Sequence, residues 1–141
     1  MLFAAALTTL LTAAAAAAPP APCEATTTRL VQRYVKAYNA GDVARLDRQV
    51  FAREPAFQWY SDGRRLGAAS EDRATLRAFF AARHRAGDRL RLVRFHYNDY
   101  RRTDRTGHFE MTLRPRGGAA FTGKGAVSCP HRRIIVTSLG R

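Results

Sequence analysis

Charged side chains are absent from the first 22 residues of this 141-residue chain. The segment is rich in alanine and leucine, which is typical of a secretory leader, although the basic residues that usually precede the apolar stretch are missing. Alanine and threonine make it only weakly apolar, and Pro19-Pro20 ends any helix early, so no stable membrane span is expected. We therefore predict a leader or signal peptide at residues 1–22, one domain at residues 23–141, and a secreted or periplasmic protein.

Cysteine is also scarce, since Cys23 and Cys129 are the only two in the chain. In an oxidising compartment an even pair of cysteines is more often bridged than free. Such a bridge would close a loop of about a hundred residues and stabilise the fold by ~4–5 kcal/mol in the chain-entropy model. We predict a disulfide between Cys23 and Cys129, with two unrelated buried thiols as the alternative.

Lysine is nearly absent: Lys36 and Lys124 stand against 22 arginines, and the net charge is +13. A chain this basic attracts polyanions without any specific site. The arginines are spread over every segment in runs no longer than a pair, which also fits a solvated surface, and recognition motifs for DNA or RNA are missing. We expect no specific nucleic-acid partner and keep polyanion binding at the cell envelope as an alternative function.

Several motifs that carry chemistry are missing from the sequence. Ser/His/Asp catalysis, phosphate-binding glycine loops and paired-cysteine metal motifs have no specific candidate. We therefore predict neither a cofactor nor a metal, and the function has to be sought in the fold.

The first half of the chain has helical periodicity. Apolar residues from Leu30 to Tyr38 repeat on one face, behind threonines at 26–28 that can supply the N-cap. Gly41-Asp42 predicts a helix stop followed by the cap of a short second helix. An aromatic strand at residues 57–61 precedes a Ser61-Asp62-Gly63 turn and a loop, and Ser70 is the predicted cap of a third helix that ends before Gly87.

The second half changes to a period of two residues. It predicts four strands at 89–100, 108–114, 121–129 and 132–139, paired as an antiparallel meander. The apolar positions change parity near Leu92, which predicts a β-bulge there.

This order of elements resembles the nuclear transport factor 2-like superfamily, which includes SnoaL-like polyketide cyclases and steroid isomerases. The residues that carry the resemblance are Leu30 to Val35, Tyr38 to Asp42, Gly123 to Ala126 and Ile134 to Gly140. The resemblance implies an α+β fold in which a curved antiparallel sheet wraps around N-terminal helices as a cone with a pocket. It also implies that the pocket is lined by aromatic side chains, namely Tyr34, Tyr38, Trp59, Phe95 and Tyr97.

The steroid isomerases combine a tyrosine hydroxyl with a protonated acid and a carboxylate base. Tyr34 stands where that tyrosine is expected. The base would fall near Tyr60, where Asp62 in the turn is the nearest acid, and the second acid would fall at residues 124–126, where none occurs. Two of the three groups are therefore missing, which argues against that reaction.

Another set of residues can replace them. His96 shares a parity with Asn98 on one predicted strand, and His108 shares one with Glu110 on the next, so pairing of the strands would gather two imidazoles and a carboxylate. They are candidates for acid/base catalysis or for binding a divalent metal, although the alternation with Phe109 places the histidines toward solvent.

We therefore predict an exported domain. We expect it to be a noncatalytic module that binds a small ligand or another protein, in preference to an enzyme. The alternative is a cofactor-free lyase or isomerase that uses Tyr34, His96, His108, Glu110 or Asp62 on a small apolar substrate. A small apolar ligand and a second copy of the chain are the candidate partners.

Overall fold

A computed structural model describes residues 22–61, 64–68, 72–98 and 105–139. The described helices are α1 (Pro22–Ala40), the short α2 (Val43–Arg45), which continues as a π-helical turn (Leu46–Val50), and α3 (Arg73–Arg85). The described strands are β1 (Gln58–Ser61), β2 (Arg64–Ala68), β3 (Arg89–Asn98), β4 (Thr106–Arg114), β5 (Phe121–Ser128) and β6 (Arg133–Leu139).

Helix α1 begins earlier than the threonines predicted. Its first residue is Pro22, whose fixed backbone angle suits the first turn of a helix. The hydroxyls of Thr26 and Thr27 donate to the carbonyls of Pro22 and Cys23, so they lie inside the helix and do not cap it. The predicted apolar face is confirmed, because Leu30 and the residues that follow it at helical spacing are buried.

The corner after α1 depends on Gly41. Its φ of +67° lies in the left-handed region that glycine enters without cost, and a Cβ there would approach the His84 ring of α3 to 2.5 Å. Asp42 then accepts a hydrogen bond from the amide of Arg45 at 3.0 Å, as predicted for the cap of the short second helix.

The predicted start of α3 was wrong by a few residues. Asp72 is the N-cap and accepts a hydrogen bond from the amide of Thr75 at 3.0 Å. Hydrogen bonding by the Thr75 side chain and, second, by its amide lowers the pKa of the Asp72 carboxyl. The helix starts at Arg73, while Ser70 lies outside the described residues. A carboxylate is a favourable acceptor at this end of a helix because the free amides carry partial positive charge.

The strands form one six-stranded sheet in the order β2-β1-β6-β5-β4-β3. The antiparallel meander from β3 to β6 is confirmed, and so is the bulge, which lies between Leu92 and Arg94. Two features correct the prediction. β1 joins β6 in parallel, so the sheet is mixed, and residues 64–68 form β2 where a loop was expected. Residues 64–68 lack the alternation of polar and apolar residues that is typical of a strand. They form a strand because they pair with β1.

The two faces of the meander carry different residues. Phe109 on β4 faces α1, with its ring 6.0 Å from that of Tyr34, and its neighbours His108 and Glu110 point to the other side. We call these the inner and outer faces. Gly125 of β5 lies under the Phe109 ring, where a Cβ would collide with it. The glycine therefore leaves room for an aromatic ring on the neighbouring strand.

The space between α1, α3 and the inner face holds a core of aromatic rings. Phe51 stacks on Phe57 at 4.1 Å, and Trp59 stacks on Phe79 at 5.9 Å. Burying this much apolar area is the main favourable contribution to the stability of the fold. The described structure is the α+β arrangement that the sequence predicted.

The predicted disulfide is present. It joins Cys23 in the first turn of α1 to Cys129 just after β5, with the two Cα atoms 5.6 Å apart. The bond connects the first described helix to the turn before the last strand.

Candidate functional site

A depression of about 400 Å³ lies on the outer face of β3, β4 and β5. We call it the outer depression, and its lining residues are Arg94, Phe95, His96, His108, Phe109, Glu110 and Lys124. His96 and His108 stand directly opposite each other on paired strands. The Phe109 side chain lies on the inner face, so Phe109 contributes its backbone to the floor of the outer depression. The walls are formed by imidazole, guanidinium, carboxylate and ammonium groups.

Opposite charges within the outer depression lie close together. Glu110 accepts from the Arg94 guanidinium at 3.0 Å and lies 4.0 Å from the Lys124 ammonium. Glu110 is 31% exposed, whereas the side chains of Arg94 and Lys124 are 69% and 71% exposed. Ion pairs this open to water contribute little to stability. They do fix the position of the carboxylate on the face of the sheet.

The structure brings together only some of the predicted catalytic residues. His96, His108 and Glu110 share the outer depression, as the strand pairing predicted, and both histidines are exposed to solvent. Tyr34 lies on the opposite side of the sheet, among the buried aromatic rings. Asp62 lies outside the described residues. Tyr34 and the histidines therefore cannot act on the same atom.

The predicted pocket residues Tyr34, Tyr38 and Trp59 are at most 2% exposed. Phe95 lies over Gly107 of β4, and Tyr97 is half-buried. In this structure Tyr34, Tyr38 and Trp59 contact other side chains of the protein. Their contact with a ligand stays a prediction.

Burial governs the chemistry of the two interior tyrosines. Desolvation raises the pKa of Tyr34 far above its usual range, the nearby Tyr38 adds to this, and the Thr137 hydroxyl opposes it. Among the described residues, no carboxylate influences the pKa of Tyr34. The Tyr34 and Thr137 hydroxyls form no hydrogen bond of normal geometry within the described part of the chain, although they face each other. The Tyr34 hydroxyl is therefore a neutral donor held in an apolar surrounding.

The interior also holds an ion pair that the sequence analysis missed. Asp88 is 2% exposed and pairs with Arg83 of α3. Desolvation raises the pKa of the adjacent Tyr38 to about 12, with Arg83 opposing the shift and Asp88 adding to it. The signal available in the sequence was an acid directly after Gly87, within reach of an arginine in the last turn of the preceding helix. That pattern is too common to predict a buried pair.

Other classes of site find no support in the residues described. Across 22–61, 64–68, 72–98 and 105–139, three or more potential metal ligands are nowhere grouped to hold an ion. The helices in those same ranges are too short or too polar to cross a membrane.

Solved structures of other proteins share this arrangement. A protein of unknown function of the DUF3225 family from Pectobacterium atrosepticum is 23% identical, with a TM-score of 0.63 over 86% of this chain and 91% of that chain. An NTF-2-like protein of unknown function from Shewanella oneidensis is 12% identical, with a TM-score of 0.62 over 83% of this chain and 98% of that chain. The chain has the nuclear transport factor 2-like fold. The resemblance noted in the sequence is thereby confirmed for the fold.

The same fold occurs in an LEH-like epoxide hydrolase from M. tuberculosis, which is 14% identical with a TM-score of 0.60 over 84% of each chain. No protein-family model matches the sequence, and no curated protein does. At these identities the nuclear transport factor 2-like fold hosts unrelated activities, so function must be argued from the residues of this chain.

Proposed function

We propose that the protein is an exported, noncatalytic binding module whose outer depression takes a small, planar, partly apolar ligand. The outer depression itself carries this proposal. It is a concave site of about 400 Å³ on an otherwise extended sheet, within the range of volumes that bind small molecules. The imidazoles of His96 and His108, which stand opposite each other on paired strands, offer stacking surfaces, and the charges of Arg94, Glu110 and Lys124 can orient polar substituents.

The noncatalytic part of the proposal rests on the interior. Enolate chemistry of the steroid isomerase type needs a carboxylate base beside the tyrosine hydroxyl. No carboxylate of the described segments influences the pKa of Tyr34, and the buried Asp88 is already paired with Arg83. Lys124 and Ala126 stand on β5 where the second acid was sought. The described interior therefore supplies a donor without the acid and base that would use it.

Export is supported by two independent features. The uncharged leader-like segment at residues 1–22 precedes the domain, and the Cys23–Cys129 disulfide is of the kind that persists in oxidising compartments. Intact-mass spectrometry of the protein recovered outside the cytoplasm should show a chain shortened near residue 22 and lacking two thiol hydrogens. A full-length reduced chain in the cytoplasm would contradict export.

One observation supports the alternative function, a lyase or isomerase. Two imidazoles and a carboxylate line a single depression, which is a set able to donate and accept protons. The site is open to water, however, and Glu110 is engaged by two cations. Efficient proton transfer from carbon generally requires a site that excludes water. Binding is therefore the function that the geometry favours.

The experiment is a titration with the neutral fluorescent probe N-phenyl-1-naphthylamine. His96→Ala with His108→Ala removes both stacking surfaces at exposed positions and should weaken probe binding about fivefold to tenfold, the effect of losing one or two aromatic contacts. Thr122→Ala, on the outer face but not in the depression, is the matched control and should bind as the unchanged protein does. Equal binding by all three proteins would contradict the proposal.

A further inference from the structure

A second depression, of about 520 Å³, lies where α1, the π-helical turn and the β5–β6 turn meet. We call it the arginine basin. Five of its lining residues are arginines, namely Arg29, Arg33, Arg48, Arg132 and Arg133. The remaining lining residues are Thr26, Leu30 and Gln49, so no acid lies among the described residues that line the basin. The sequence did not predict this site because its arginines come from three distant segments.

The charges of the arginine basin are not compensated. None of its five arginines forms an ion pair with an acid in the part of the chain that the structure describes. Arginines elsewhere do find acids, for example Arg73 with Asp47 and Arg94 with Glu110. A guanidinium stays charged at any physiological pH, so the repulsion inside the basin cannot be relieved by losing a proton. A bound anion would relieve it.

Arg132 occupies a backbone conformation that favours another residue. Its φ of +49° lies in the left-handed region, where a residue with a side chain costs about 1–2 kcal/mol more than glycine. Its amide donates to the Cys129 carbonyl at 3.1 Å, which fixes the turn. A glycine would form the same turn with less strain. What the arginine adds is a guanidinium at the basin.

Two connections hold the three sides of the basin in place. The disulfide from Cys23 fixes the start of α1 to the turn that carries Arg132. The amide of Ala52, just after the π-helical turn, donates to the Ile134 carbonyl at 2.9 Å and fixes that turn to β6. The backbone segments that carry the arginines are therefore held together before a ligand arrives, which reduces the entropy lost on binding.

We propose that the arginine basin binds a compact ligand that carries two or more phosphoryl groups. The planar guanidinium pairs with two oxygens of a phosphoryl group at once. A terminal phosphoryl group carries a charge of about −1.5 to −2, so two of them match five fixed positive charges better than two carboxylates do. The cavity volume falls within the range of small-ligand sites. The site is separate from the outer depression and does not depend on the function proposed there.

The test is calorimetric titration of the full chain with inorganic pyrophosphate in a phosphate-free buffer of physiological ionic strength. The Arg29→Gln, Arg132→Gln double variant should weaken binding at least tenfold, as expected for losing charge-assisted hydrogen bonds. Arg77→Gln with Arg91→Gln removes the same charge from exposed positions elsewhere and should change the affinity by no more than about twofold, because general charge attraction is screened at this salt concentration.

Vesicles of phosphatidylcholine containing phosphatidylinositol bisphosphate form the second arm, which separates a lipid headgroup with several phosphoryl groups from a free ligand. The site is supported if either probe binds to the Arg77→Gln, Arg91→Gln variant and not to the Arg29→Gln, Arg132→Gln variant. The probe that shows this difference identifies the source of the ligand. Circular dichroism verifies that both variants are folded. Equal losses in the two double variants would reduce the effect to net charge, and no binding in either arm would equally overturn the proposal.

Discussion

The inner and outer faces of the β3–β6 meander are made by the same strands and serve different purposes. On β4, Phe109 is 2% exposed and packs against Tyr34, while the adjacent His108 faces solvent in the outer depression. The inner face is occupied by the chain's own aromatic rings. The outer face carries imidazoles and charges that no described element covers. Packing therefore determines the residues of one parity of these strands and places no such constraint on the other parity.

Shortening one side chain on each face should separate the two faces most clearly. Phe109→Ala should lower the free energy of unfolding by about 3–5 kcal/mol, because it removes a buried ring and leaves a cavity beneath Tyr34. His108→Ala should change it by no more than about 0.5 kcal/mol, as for most surface substitutions. Urea unfolding followed by circular dichroism measures both.

The disulfide stays intact in both variants of Phe109 and His108, so any difference in stability arises from the sheet. Similar losses at the two positions would mean that the outer face is buried by something beyond the described residues. A small loss for Phe109→Ala alone would mean that the surrounding rings can close the cavity.

Alkaline pH should lower the stability of the fold through the buried tyrosines of the inner face. Burial raises the pKa of Tyr38 to about 12 and that of Tyr34 further, whereas a tyrosine in the unfolded chain ionises near pH 10. The native state therefore keeps protons that the unfolded state releases. Stability should be fully present below about pH 10 and should fall between pH 10 and 12, by about 2–3 kcal/mol for Tyr38 alone.

Urea unfolding at about pH 9 and about pH 11 measures the first half of this loss, about 1 kcal/mol for Tyr38. Tyr38→Phe should make the decrease shallower, because phenylalanine has no proton to release. A decrease of the same slope in Tyr38→Phe would assign the alkaline effect to other groups.

The sequence predicted the features that depend on local patterns. Alternation along β4 assigned His108 and Phe109 to opposite faces, and the change of parity near Leu92 located the bulge. Gly41 predicted the corner because few other residues adopt its backbone conformation. The pair of cysteines predicted the disulfide from composition and compartment.

What the sequence could not predict depends on contacts between distant segments. Residues 64–68 become a strand only because β1 lies beside them, and their own sequence has no strand alternation. The arginine basin assembles residues that are about a hundred positions apart. Tyr34 stands where a catalytic donor was expected, but the sequence has no acid at the two positions that would complete such a site, and the histidines that could replace those acids lie on the outer face.

Substitution of Tyr34 should change stability and probe binding least. Tyr34→Phe removes a buried hydroxyl that has no hydrogen-bond partner of normal geometry among the described residues, and should leave stability unchanged or raise it by up to about 1 kcal/mol. Binding of N-phenyl-1-naphthylamine to the outer depression should be unchanged, because Tyr34 lies across the sheet. Urea unfolding and probe titration measure the two quantities, with Thr137→Val testing the opposing hydroxyl. If Tyr34→Phe instead abolished binding of the probe, the ligand would have to occupy the interior, and the division between a packed inner face and a receptive outer face would fail.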